Sequence, residues 1–549
     1  MTKYLFALTD SLEKVLPKRT PREISNSNAV FLGESYSFQL AYTCENDDFG
    51  ESDCCFRVDI STDFDGEIST RRVELVPSAL PCHGTWDNNY LTTEPGLLPD
   101  LLVPHSADTM LKAVPMQWRA LWIEAVPSQK DKGKKRKISL SVLDTKNNIL
   151  YEKSLELNVL NYALPSQTIY HTEWFHADCL ADYYKVPVFS EEHWRIIDNF
   201  MASAARHSVN LLLTPLFTPP LDTAKGEERT TIQLIGVTKL GEKYEFDFQK
   251  LHRWITLCHK NNIQNLEMSH LFTQWGAGFA PKIIASDENG IEIKMFGWHT
   301  AANEGEYPCF LQQFLPALQS FLKKENMLEN VWFHISDEPT ADVKASYSSA
   351  KKQVEAQLKG CKIIDTLSSY DFYKEGLVDM PIVCVDHIDP FIDAKISGLW
   401  TYYCTVQAID VCNRFMAMPS ARNRVLGVLM YIYKIEGFLH WGFNFYNSQR
   451  SVKHINPFEI TDAGEAFPSG DPFLVYPAQD GTALESIRGM VLREALFDLR
   501  ALTLLEAKTN RKTVMDMLTD NGRIEITFKH YPQDAQYFLN LRKKIAALL

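Results

Sequence analysis

The sequence predicts a β-sandwich followed by a (β/α)8 TIM-type barrel, and three observations carry that reading. Residues from about 28 to 160 alternate apolar and polar side chains in short runs, the period-two pattern of strands with one covered face. After Leu164-Pro165-Ser166, which reads as a linker, the pattern becomes apolar strand, helical stretch, apolar strand. Eight such units follow over roughly 300 residues, the size of a (β/α)8 barrel. At 549 residues the chain exceeds what one core serves. The expected divisions are an N-terminal segment 1–27, a β-sandwich domain 28–164, a catalytic barrel 165–508 and a C-terminal appendage 509–549.

The sandwich strands are expected at Tyr36–Tyr42, Phe56–Ile60, Arg72–Val76, Lys137–Leu143 and Leu155–Leu160, with turn residues such as Asn147-Asn148 between them. The basic run Lys130–Lys137 lies between strand-like segments around a glycine; with no aromatic interleaving it reads as a solvated hairpin tip. Barrel strands are expected to begin near Ile169, Val209, Asn265, Val331, Lys362, Pro381, Leu399 and Phe438. Amphipathic stretches at Ser190–His207, Phe248–Asn261, Tyr307–Lys324 and Thr340–Lys359 fall between them, and Glu485–Glu506 forms a long last helix. A doubly wound sheet competes, but eight units without a Gly-rich dinucleotide turn favour the barrel.

Composition narrows the function. Hydrophobic content of 45% and charged content of 23% belong to a globular protein, and a formal net charge of -13 argues against a nucleic-acid partner. No run of about 18 apolar residues exists to cross a membrane, and the first residues lack the apolar core of a signal peptide. Eleven cysteines, scattered without a C-x-x-C pair and several of them in expected strands (Cys361, Cys384, Cys404), suit reduced thiols. A cytoplasmic location is therefore expected, with no membrane partner.

The most informative stretch is Val331-Trp332-Phe333-His334-Ile335-Ser336-Asp337-Glu338-Pro339. A continuous apolar run suits a strand covered on both faces, and the proline stops it. Two carboxylates then stand at the carboxyl end of the fourth strand, where α/β folds place their chemistry. Neighbours on an ideal strand point to opposite faces, so both can line one pocket only if the backbone turns there.

The other strand ends offer Glu173, Trp174 and His176 from strand one, and His270 from strand three, with Trp275 and then His299 beyond it. Strand five offers Ser368, Ser369 and Tyr370; strand six, Asp386, His387 and Asp389. Strand seven adds Trp400, Tyr402 and Tyr403, and strand eight Trp441 and Asn444. Aromatic platforms with amides and hydroxyls, and few cations, fit a sugar ring, whose C–H faces stack while its hydroxyls seek short polar partners. No P-loop or G-x-G-x-x-G cradles a phosphate, no G-x-S-x-G elbow presents a serine, and no H-E-x-x-H or thiol cluster accompanies Asp386-His387. Neither a metal nor another cofactor is expected.

A retaining glycosidase with its own nucleophile needs a second carboxylate about 5 Å from the acid. Strand seven, where it would plausibly sit, has none, and Asp410 lies beyond it. That absence points to a nucleophile on the substrate, such as the carbonyl oxygen of a 2-acetamido sugar.

At these residues the chain resembles glycoside hydrolase family 123 and its relatives that share the same C-terminal domain of unknown function. The likeness rests on Thr172-Glu173-Trp174-Phe175-His176, the strand-four stretch, Leu399–Cys404 and Gly437–Asn444. Gly470-Asp471-Pro472, Tyr476-Pro477 and Ser486-Ile487-Arg488 match as well. The resemblance implies a sandwich followed by a barrel and a retaining exo-β-N-acetylhexosaminidase, N-acetylgalactosaminidase-like, acting on an oligosaccharide or glycoconjugate by substrate-assisted catalysis. It implies that Asp337 orients the acetamido group and that Glu338 is the general acid and base. Tyr370 or Tyr402 would bond the acetamido carbonyl and Trp441 would floor the sugar, with Trp174, His176, Trp275 and His299 also on the substrate. Two alternatives stay open: a carbohydrate-binding or catalytically silent relative, and a conventional glycosidase with Asp386 or Asp389 as second carboxylate.

Overall fold

The computed structural model describes residues 3–24, 27–45 and 54–549. It divides into two compact units, one of Met1–Gln167, Ala408–Ile432 and Leu484–Leu549, the other of Thr168–Gln407 and Tyr433–Ala483.

The first unit is strand-rich. One antiparallel sheet orders Lys3–Asp10, Tyr36–Glu45, Arg119–Val126, Glu67–Ser78 and Gly96–Pro104, then continues into Ala483–Ser486. A second sheet orders Ser27–Leu32, Ile149–Ala163, Lys135–Asp144, Cys55–Thr62 and Leu111–Lys112. One apolar cluster draws on both: Phe38, Leu40 and Ile123 from the first, Phe56, Leu140 and Leu157 from the second. Residues 1–27, read in the sequence as a separate segment, contain a paired strand, with Leu5 opposite Thr43. The basic run is not a hairpin tip. Arg119–Val126 and Lys135–Asp144 belong to different sheets, so Lys130–Lys137 connects them. Ser128 caps its 3-10 turn and Arg136 Nε donates to Asp131 at 2.9 Å. The C-terminal residues are bound into this unit by buried charge: Arg488 on the helix Ile487–Lys508 grips Asp100 with two hydrogen bonds of 2.9 Å.

The second unit is a closed barrel of eight parallel strands in sequence order. These are β1 Tyr170–Glu173, β2 Leu211–Thr214, β3 Asn265–Met268, β4 Val331–Phe333, β5 Lys362–Leu367, β6 Met380–Cys384, β7 Trp400–Tyr402 and β8 Gly437–His440. β8 closes on β1, with His171 opposite Phe438 and Thr172 opposite Leu439. Each expected strand start lies within three residues of one of these. The agreement has a cause: parallel strands with both faces covered are continuously apolar, and the interior cluster takes Leu211, Leu213, Trp332, Ile364, Ile382 and Trp400. Tyr170 stacks on Trp400 at 5.3 Å and tilts on Trp332 at 4.6 Å. Gly437 makes room for this stack, since a Cβ there would lie 2.0 Å from Trp400 Cδ2.

One feature has no counterpart in the sequence reading. Gly236–Leu240, Lys243–Asp247, Ile283–Ser286 and Glu292–Phe296 form a four-stranded sheet inserted around β3. Its strands are five residues or fewer and mostly half-exposed, so their apolar signal is weak. Among the described residues no helix is long and apolar enough to cross a membrane.

Gly437→Ala is expected to destabilise the protein by about 2–3 kcal/mol through overpacking against Trp400. Urea denaturation followed by tryptophan fluorescence measures it, and an unchanged midpoint would show that the stack yields freely.

Candidate active site

The site begins where β4 ends. After Phe333 the chain keeps running toward Asp337, whose carbonyl oxygen accepts from Trp275 N–H at 3.2 Å. Glu338 then takes φ = +43°, the left-handed region in which a non-glycine residue is strained. Thr366 at the end of β5 holds that turn, its Oγ1 accepting from Glu338 N–H at 3.2 Å. Pro339 has no N–H with which to continue a ladder. The turn brings both carboxylates into one cavity of about 130 Å³ at the carboxyl ends of the barrel strands.

The two acids are held differently. Asp337 is buried, and both its oxygens are occupied: Oδ1 accepts from Thr366 Oγ1 and Oδ2 from Gln274 Nε2 at 2.6 Å. Burial and the charge of Glu338 push its pKa up to about 7, while Thr366 and Gln274 act against the rise. Half-buried Glu338 accepts one bond, from the Tyr402 hydroxyl to Oε1 at 2.7 Å. Burial pushes its pKa up as well; the Tyr402 hydroxyl pulls it back and Asp386 adds to the rise. Asp337 is thus fixed and Glu338 is left one oxygen to work with.

Trp174, His176, Trp275, Tyr402 and Trp441 line the same cavity. Trp441 is oriented by Nε1 donating to Asp471 at 3.1 Å, and Trp275 stands 48% exposed at the mouth with φ = +58°. His176 has no free nitrogen. Its Nε2 lies 2.9 Å from the Trp441 carbonyl oxygen and its Nδ1 takes a bond from Arg229 at 3.0 Å. Burial and Arg229 depress its pKa to about 3, so it is a neutral wall.

Two expected residues are elsewhere. Tyr370 begins the helix Tyr370–Lys374 and packs edge-on against Phe391 at 5.1 Å, because the chain turns into a helix immediately after β5. His299 is exposed in the loop after the inserted sheet, which occupies the span read as a direct path from β3 to the next helix. Asp386 lies near Glu338 but does not line the cavity, and Asp389 starts the helix Asp389–Asp393.

The cavity also takes Asp222, Gln274 and Thr366, which the sequence reading passed over. Gln274 precedes Trp275 and Thr366 stands two residues before Ser368, so strand-end counting came within reach of both. Asp222 sits in an irregular loop after β2, with φ = +38° and no periodic signal. Its N–H donates to Gln274 Oε1 at 2.6 Å, and its Oδ2 accepts from Arg450 N–H at 2.8 Å.

Beneath the cavity lies a buried charge cluster. His334 Nε2 is 2.7 Å from Glu267 Oε1 and its Nδ1 is 3.2 Å from Asp365 Oδ1. Burial acts to lower the His334 pKa, but its hydrogen bonds to both carboxylates, and their charges, outweigh it and hold it at about 9. Glu267 also takes Trp174 Nε1 at 2.7 Å and the Thr172 hydroxyl, while Asp365 takes Ile335 N–H at 3.1 Å and the Tyr347 hydroxyl.

The catalytic-domain model of glycoside hydrolase family 123 matches residues 174–505. Among solved structures, a family 123 glycoside hydrolase from Clostridium perfringens, described in connection with glycolipid glycan hydrolysis, superposes with a TM-score of 0.74. It is 16% identical, over 99% of this chain and 97% of that one, and the likeness is one of fold. A β-glucuronidase from Parabacteroides merdae reaches a TM-score of only 0.30 at 8% identity, over 92% of this chain and 52% of that one. No curated protein matches the chain.

Thr366→Val removes a donor that favours charged Asp337, so that carboxyl is expected to titrate about one unit above its present value of about 7. Carboxyl-stretch infrared titration reads this; an unmoved midpoint would count against the hydroxyl's role. The His334 imidazolium gives a second expectation. A pKa raised from 6.5 to about 9 contributes stability that is complete below 6.5 and is lost as pH rises through 9. The melting temperature is therefore expected to fall across that window, and His334→Gln to flatten the fall; equal slopes for both proteins would contradict it.

Proposed function

The chain belongs to glycoside hydrolase family 123, and from that premise we propose that it is a retaining exo-β-N-acetylhexosaminidase, N-acetylgalactosaminidase-like, whose nucleophile is the substrate's own 2-acetamido group. A glycosidase acts on glycans. The finer reading is carried by one observation: the two carboxylates enter the cavity from consecutive residues, Asp337 immobilised and Glu338 free at one oxygen. Consecutive residues do not flank a sugar ring from opposite faces, as an acid and an enzymic nucleophile must.

In this mechanism the Asp337 carboxylate accepts the acetamido N–H and turns the carbonyl oxygen toward C1. That oxygen attacks C1 as Glu338 O–H protonates the departing glycosidic oxygen, leaving an oxazolinium whose positive charge Asp337 balances. Glu338, now a carboxylate, takes a proton from water as the water attacks C1 and restores the configuration. Trp441 supports the apolar face of the ring. The cavity suits one terminal sugar, which supports exo action on an oligosaccharide or glycoconjugate. The solved relative's link to glycolipid glycans makes a glycolipid headgroup the first substrate to try. For the strand-rich unit, two sheets sharing one apolar cluster support a β-sandwich. The free cysteines support a reducing, cytoplasmic setting.

Asp222 favours a second reading, a conventional glycosidase in which this third cavity carboxylate attacks C1. Nitrophenyl β-N-acetylgalactosaminide, β-N-acetylglucosaminide and plain β-galactoside separate the two. The acetamido sugars are expected to be cleaved and the plain galactoside not, with Glu338→Gln lowering kcat by about 10²–10⁴ on substrates with a poor leaving group. Equal cleavage of the plain galactoside, or a fluorosugar trapped on Asp222, would replace the proposal with the second reading.

A further inference from the structure

The turn that ends β6 gathers three metal-ligating side chains outside the Asp337–Glu338 pair. His387 N–H donates to the Cys384 carbonyl oxygen at 3.0 Å, folding Cys384-Val385-Asp386-His387 into a tight turn. Cys384 Sγ and His387 Nδ1 come to 3.4 Å, and His387 Nδ1 and Asp386 Oδ1 to 3.0 Å. Ligand atoms from all three residues lie within 4.8 Å of one another. A tetrahedral zinc ion with Zn–S of about 2.3 Å and Zn–N or Zn–O of about 2.0–2.1 Å spaces its ligand atoms roughly 3.3–3.6 Å apart. Two of the three separations, 3.4 Å from Cys384 Sγ to His387 Nδ1 and 3.0 Å from His387 Nδ1 to Asp386 Oδ1, already lie close to that spacing, and the third is within 4.8 Å. The inner side is walled by buried Cys384, whose Sγ lies 3.1 Å from Ser368 Oγ, while the outer side is open at exposed His387.

The geometry points to a binding site for a borderline-soft divalent cation of the zinc class, held by Cys384 Sγ, Asp386 and His387 Nδ1, with a fourth position left to solvent. The donor set selects the ion. One sulfur, one imidazole nitrogen and one carboxylate match Zn²⁺ or Co²⁺, whereas Mg²⁺ and Ca²⁺ demand oxygen cages. Coordination forms a metal–sulfur bond as the thiol proton leaves to solvent, and His387 offers the Nδ1 lone pair with its proton on Nε2. Gln407 Nε2 donates to Asp386 at 3.1 Å and supplies the bond that fixes this carboxylate. The sequence shows only part of this site: Asp386-His387-x-Asp389 has three donors in four positions, but Asp389 is drawn into a helix and buried Cys384 takes its place.

Co²⁺ added to the full-length protein tests the site, because a cobalt–thiolate bond gives a near-ultraviolet charge-transfer band and tetrahedral cobalt an intense visible spectrum. One equivalent is expected to produce both. Cys384→Ser is expected to abolish the charge-transfer band, and His387→Ala, an exposed position that spares folding, to weaken binding about tenfold or more. Glu338→Gln is expected to leave the spectrum as it is. No band in the wild-type protein, or a band that survives Cys384→Ser and so comes from another of the eleven cysteines, overturns the proposal.

Discussion

A charged imidazole sealed inside the barrel sets the terms for everything above it. His334 follows β4 directly, and its two ring nitrogens reach Glu267 on β3 and Asp365 on β5. A buried carboxylate beside no cation, or a buried imidazolium beside no carboxylate, would carry a desolvation cost of several kcal/mol, so these three groups are stable only together. Trp174 Nε1 and Ile335 N–H share the carboxylate oxygens that face His334, and the two remaining oxygens take the hydroxyls of Thr172, on β1, and Tyr347. Strands β1, β3, β4 and β5 are thereby locked in register by side chains, across a layer where apolar packing would leave β4 freer to slide.

That lock explains how the chain tolerates a strained residue four positions after His334. Glu338 at φ = +43° costs on the order of 1–3 kcal/mol. The strain persists because Ile335 is anchored below by Asp365, Asp337 is held on both oxygens, and Thr366 bonds the Glu338 N–H. Thr366 is the hinge of this arrangement. One hydroxyl donates to Asp337 and accepts from Glu338, so the same atom that turns the backbone also biases Asp337 toward its charged form.

The barrel was legible because its determinants are local. Most strands are short, largely apolar runs, and the strand ends follow by counting, which is why Trp174, Tyr402, Trp441, Asp337 and Glu338 fall into one group from the sequence. What counting missed depends on chain paths set by tertiary packing. The inserted sheet diverts the chain after β3 and carries His299 away, and the immediate helix after β5 removes Tyr370. Asp222 arrives from a loop whose course is fixed by contacts with Gln274 and Arg450, partners distant in sequence. His176 shows a subtler limit. Its place on the cavity wall followed from strand counting, but its neutrality follows from Arg229, 53 residues along the chain.

The unequal binding of the two acids also bears on what the cavity can select. Among the described residues no side chain of its lining carries a positive charge, since His176 is held neutral by burial and Arg229, while Asp222, Asp337 and Glu338 all contribute carboxyl groups. An anionic sugar entering such a cavity would find no cation to offset its charge and would lie beside the Asp337 carboxylate on which the proposed mechanism depends. The same field favours a reaction in which positive charge develops at the sugar ring and its substituent, because stabilisation then grows toward the transition state and not in the ground state. On the proposed mechanism, this arrangement of charge therefore favours a neutral sugar that becomes cationic as its bond breaks.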